Sequence, residues 1–140
     1  MYPDLPLEFL ITGTAVSVQA TAATRSAWKT HVRDTARTAR GDGLWAFDQS
    51  LVVTIFYFPG GQMRGDIDNI VKPILDGLSR CIFIDDRQIE RLVVQKFEPD
   101  NIFPFQNPSS VLAAAMEAGD PTIYVRVTDD PHEELRRWQA

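Results

Sequence analysis

Residues 66–86 read D-I-D-N-I-V-K-P-I-L-D-G-L-S-R-C-I-F-I-D-D and concentrate side chains that could do chemistry. Asp66 and Asp68 are two apart, Lys72 follows Asp68 by four, and Asp85-Asp86 closes the stretch. If the apolar run Cys81-Ile82-Phe83-Ile84 brings the chain back, up to four carboxylates converge near one ammonium group. Short oxygen-bearing side chains suit a hard divalent cation such as Mg²⁺, which takes carboxylates and completes its octahedron with water. Two aspartates entering a helix plus one from a distant turn make a three-carboxylate site, with the choice between Asp85 and Asp86 open. A lysine beside it offsets negative charge developing on a reacting group. Each feature alone also has a plainer explanation. Asp-x-Asp-Asn before a helix is good capping chemistry, Asp-Asp before a strand is a turn, and Asp68 with Lys72 is an i,i+4 pair.

The surrounding pattern supplies elements to position these groups. Residues 5–14 are β-rich and end at Gly13-Thr14, which predicts a first strand. Residues 24–40 predict a helix capped by Thr24, with Trp28, Val32 and Ala36 toward the core. On its other side Arg25, Lys29, Arg33 and Arg37 recur every four residues, either a solvated charged face or a ridge that tracks phosphates. His31 has no His or Cys partner at metal spacing and reads as an exposed helix residue. Residues 50–58 (S-L-V-V-T-I-F-Y-F) form the strongest strand, nearly continuous in β-branched and aromatic residues, as expected of a central strand covered on both faces. Pro59-Gly60-Gly61 turns the chain toward Asp66.

A second helix begins near Asp68 or Asn69, either able to cap it, with Ile70, Val71, Ile74, Leu75 and Leu78 as its apolar stripe. Pro73 sits awkwardly in that helix, since it loses a hydrogen bond and crowds the preceding turn. Residues 89–97 predict another strand, 98–110 a loop, 111–118 a short helix and 122–127 a last, half-exposed strand, with a polar tail from 129 that is frayed or a short helix. The order β-α-β-α-β, then a last β, predicts an α+β fold: one two-layer domain over residues 1–140, a mixed β-sheet with helices packed on one face.

The run D-x-D-N-x-x-K-P-x-L-D-x-L, followed by an apolar-Asp-Asp-x-x-Ile segment, resembles the RusA family of Holliday junction resolvases. The resemblance covers about a third of the chain, residues 66–96. It implies a Mg²⁺-dependent endonuclease, with Mn²⁺ able to substitute, that cuts branched four-way DNA as a homodimer. Asp66, Asp68 and Asp86 would be metal ligands, the family motif favouring Asp86 over Asp85, and Lys72 would be essential for cutting. Asn69, Asp76 and Asp85 would support them from behind. Arg25, Lys29, Arg33, Arg37, Arg64 and Arg80 are the expected phosphate contacts. The family's asparagine after the first strand is missing here, where the segment reads A-V-S-V-Q-A-T, with Gln19 as an imperfect substitute.

Composition bounds these expectations. At 140 residues with 44% hydrophobic and 24% charged content, the chain suits one soluble globular domain. It has no apolar run of membrane-spanning length and no basic N-terminal region, and its single cysteine, Cys81, suits a reducing cytoplasm. Cys81 reads as a small buried hydrophobe. The net charge of −5 runs against nucleic-acid binding, where neutralising phosphates dominates affinity. The charge is uneven, however: residues 25–40 hold five basic groups against one acid, whereas 117–134 hold six acids against one arginine. Two other readings therefore stand beside the resolvase: a metal nuclease acting on flaps, forks or RNA, and a catalytically silent module that binds nucleic acid or protein.

Overall fold

The computed structural model describes residues 1–101 and 103–139. Its elements are β1 (Leu7–Thr12), α1 (Ala22–Arg40), β2 (Leu51–Phe58), α2 (Asp68–Leu78), β3 (Ile89–Lys96), α3 (Ser110–Glu117) and β4 (Thr122–Thr128). Short 3₁₀ turns cover Asp86–Gln88 and Glu134–Trp138. The sheet order is β1-β4-β2-β3, with β2 and β3 parallel and the other pairs antiparallel. This is the α+β fold with a mixed sheet that the element pattern predicts. The β2-α2-β3 crossover carries the acidic stretch.

Alternation along the strands divides the sheet's two faces. Phe9, Ile11, Val53, Ile55, Tyr57, Ile123, Val125 and Val127 pack with Trp28, Val32 and Ala36 of α1 and with Ile70, Ile74 and Leu78 of α2 in the main core. The opposite face carries a smaller cluster, in which Leu112 and Ala115 of α3 cover Tyr124 beside Leu10, Phe56 and Phe58. The two long helices thus share one face, and the eight-residue α3 adds a patch of cover on the other. β2 is central and covered on both faces, as its run of apolar residues requires. Between Leu51 and Val52 the β2–β3 register shifts by one residue, leaving Glu90 as a bulge near the start of β3.

Several boundaries differ from expectation for local reasons. α1 begins at Ala22, capped by the extended Thr21, whose hydroxyl accepts from the Thr24 amide at 3.2 Å; Thr24 lies inside the helix. α2 begins at Asp68 after Ile67, which is already helical, and carries no side-chain cap, so neither Asp68 nor Asn69 caps it. Cys81 is buried, and burial pushes its thiol pKa up, as expected of a small core hydrophobe. No helix among the described residues is long and apolar enough to cross a membrane.

The crossing of α1 on α2 is set by Gly77. A Cβ there would lie 2.6 Å from Val32 Cβ and 3.1 Å from the Lys29 carbonyl oxygen, so only glycine lets the helices approach this closely. That approach carries Lys29 to the side of Asp76.

Candidate active site

Lys72 stands in the second turn of α2 and is the hub of the site. Its Nζ lies 2.8 Å from Asp76 Oδ1, one helical turn further on, and 3.0 Å from Asp86 Oδ2, fourteen residues away. The second contact joins the helix to the Asp-Asp turn, so the apolar run 81–84 does bring the chain back. Packing holds it there: Phe47 forms a bridge with Phe83, and Cys81, Ile82 and Phe83 are all buried. Hydrogen bonds from the Lys72 ammonium to Asp76 and Asp86 stabilise its charged form and push its pKa up to about 12. Asp76 in turn lies 3.6 Å from Lys29 Nζ, giving a chain of alternating charge, Lys29–Asp76–Lys72–Asp86.

The Asp-Asp turn separates its two carboxylates. Asp85 caps the 3₁₀ turn, its Oδ1 accepting from the Arg87 amide at 3.0 Å, while Asp86 reaches Lys72. Gln88 closes the capping box from the other side. The spacing Asp85-x-x-Gln88 was readable as a capping box in the sequence alone, and it identifies a residue that sequence reasoning passed over.

Asp66 and Asp68 are exposed at the mouth of α2, and neither enters an ion pair among the described residues. The helix start needs neither, because backbone closes it: the Asn69 amide donates to the Asp66 carbonyl at 3.1 Å. Both carboxylates stand at the helix entrance without a capping role.

Pro73 explains a further contact. Lacking an N–H, it leaves the carbonyl of Asn69, four residues back, without its helical donor. The Val18 amide fills that vacancy at 2.8 Å, anchoring the β1–α1 loop to the first turn of α2. The loop bearing Gln19 is thereby fixed beside the acidic residues, and Asn69 contributes through its backbone. On the far side, the Met63 amide donates to Glu98 Oε2 at 2.8 Å, which tethers the segment leading into Asp66.

A model of the RusA family, described as endodeoxyribonuclease RusA, matches residues 12–103, about two thirds of the chain. The chain belongs to the RusA family. No curated relative matches it. Membership implies endodeoxyribonuclease activity, the family being one that acts on branched DNA in Holliday junction resolution. The matched span takes in β2, α2, the Asp-Asp turn and β3, and with them every acidic residue and lysine of the site.

The basic residues are used unequally in this RusA domain. Arg33 Nη2 donates to the Asp76 carbonyl at 2.9 Å, and Arg25 Nη1 reaches the Val18 carbonyl at 3.4 Å, so both brace the α1–α2 seam and its loop. Lys29 joins Asp76, and the exposed Arg37 lies 3.9 Å from Asp34. Arg64 and Arg80 are exposed on either side of α2, Arg80 in a left-handed turn at φ 65°. Among the described residues no three His, Cys, Asp or Glu side chains are gathered closely enough to hold an ion. The donor types are those a hard divalent cation takes, since Asp66, Asp68 and Asp86 all offer carboxylate oxygen and Asp66 and Asp68 are exposed and make no capping bond, but the three are not gathered around one point.

Proposed function

We propose that this chain is a Mg²⁺-dependent, structure-selective DNA endonuclease that resolves four-way junctions by paired phosphodiester hydrolysis, acting as a homodimer. The observation that carries this reading is the contact between Lys72 and Asp86, which joins the motif's lysine on α2 to the Asp-Asp turn fourteen residues on. Asp66, Asp68 and Asp86 hold the metal, and Asp85 caps the turn that presents Asp86. The metal, when bound, offsets charge at the scissile phosphate and supplies hydroxide near neutral pH.

Lys72 works as a fixed positive charge. With its pKa at about 12 it keeps its proton across the physiological range, so it stabilises charge developing on the phosphate and is not the general base. Asp76 holds the ammonium from within the helix, and Lys29 balances the second oxygen of Asp76. Arg64, Arg80 and Arg37 are the phosphate contacts, whereas Arg25, Lys29 and Arg33 act mainly within the domain. Two-fold symmetry suits the substrate, since paired nicks need two active centres facing one junction.

The test is cleavage of a labelled synthetic four-way junction, with Mg²⁺ or EDTA, by the wild-type protein and by Asp68→Asn. Symmetric nicks lost with EDTA and with the substitution are expected. Junction binding without cutting would leave a silent binding module, and preferential cutting of flaps, forks or RNA would move the substrate. Neither binding nor cutting would overturn the nucleic-acid reading and give the net charge of −5 its face value.

A further inference from the structure

Asp85 and Asp86 are neighbours of identical chemistry, yet they do different things. The difference is imposed by Gln88, whose side-chain amide uses its whole hydrogen-bonding capacity. Its Oε1 accepts from the Ile84 amide at 2.8 Å and from the Asp85 amide at 2.9 Å. Its Nε2 donates to the carbonyls of Phe47 at 2.8 Å and Gln49 at 3.0 Å. The orientation of the amide follows from these neighbours, because the flipped group would face two N–H donors with NH₂ and two carbonyls with oxygen. Phe47 is itself anchored, being buried and donating its amide to the Ile82 carbonyl at 2.8 Å. Gln88 therefore clamps the acidic turn to the segment that enters the central strand β2. With the backbone of Ile84 and Asp85 fixed, the Asp85 side chain folds back as the cap and Asp86 is the carboxylate that projects to Lys72.

We propose that Gln88 is a positioning residue that selects Asp86 over Asp85 as the carboxylate facing Lys72 and the metal. This rests on the metal-dependent reading proposed above. Gln88 acts through the backbone amides of Ile84 and Asp85, which set the course of the chain into Asp86, as outer groups that orient ligands commonly do. Its loss acts on the same carboxylate as loss of Asp86, so the two are coupled.

The test measures Mn²⁺ binding to the intact protein by electron paramagnetic resonance, with junction cutting alongside, for wild type, Gln88→Met, Asp86→Asn and the double variant. Gln88→Met keeps the side chain's length and removes its four hydrogen bonds. It is expected to weaken Mn²⁺ binding about tenfold or more, and the double variant is expected to bind no more weakly than Asp86→Asn alone. If Gln88→Met does not fold, Gln88→Glu, which keeps the accepted bonds and loses the donated ones, gives the same comparison. Wild-type Mn²⁺ affinity in the Gln88 variant, or an additive loss in the double variant, overturns the proposal. A wild-type protein that neither binds Mn²⁺ nor cuts overturns instead the metal-dependent reading beneath it, so the two failures are distinguishable.

Discussion

Replacing Lys72 by methionine should separate stability from activity. The side chain makes two ion pairs, at 2.8 Å to Asp76 and 3.0 Å to Asp86, but it is 59% exposed. Solvent at that exposure screens both, and pairs of this kind contribute about 0.2–1 kcal/mol each. The whole loss on unfolding is therefore about 1 kcal/mol, a fall in melting temperature of about 2–5 °C for a chain of this size. The pH dependence has a definite sign. The folded pKa of about 12 exceeds the ordinary 10.5, so the ammonium's contribution is whole below about 10.5 and disappears as pH rises through 12. Removing a charge that acts in the transition state costs far more in rate, about 10²–10³-fold. The assay is thermal melting of wild type and Lys72→Met from neutral pH upward, beside junction cutting at neutral pH. A drop well beyond 10 °C would make Lys72 a structural residue, and cutting near the wild-type rate would remove it from the chemistry. Either result refutes the reasoning.

Further predictions concern four substitutions. Gly77→Ala places a methyl group 2.6 Å from Val32 and should cost about 1–3 kcal/mol in denaturant unfolding; an unchanged midpoint would show that the helices can part freely. Pro73→Ala offers the Asn69 carbonyl a donor within α2 that competes with Val18, so hydrogen exchange at the Val18 amide should accelerate; unchanged protection there would show that the loop is held by other contacts. Arg64→Ala and Arg80→Ala should each weaken junction binding and lower the salt slope by about one, with melting temperature unchanged because both side chains are exposed; an unchanged slope would exclude a phosphate contact.

The sequence by itself determined much of this protein. Period-two alternation and the β-branched run at 50–58 specified the strands, because a buried strand must be apolar wherever it meets a layer. The spacing of Asp66, Asp68, Lys72 and Asp85-Asp86 specified the acidic stretch and its family, because those residues act within one crossover unit and keep fixed offsets along the chain. The register of the sheet, the close crossing at Gly77 and the anchoring of the acidic turn were decided only by tertiary structure. The capping-box spacing of Asp85 and Gln88 is legible in the chain, but the bonds from Gln88 to the carbonyls at 47 and 49, some forty residues away, are not. The arginine stripe of α1 has a regular period whether it faces solvent or a neighbouring helix, and the packing of α2 set Arg33 and Lys29 against Asp76. The vacancy behind Pro73 was visible in the chain, but its donor was not. A missing N–H identifies the carbonyl left open, and the fold alone decides which loop comes to fill it.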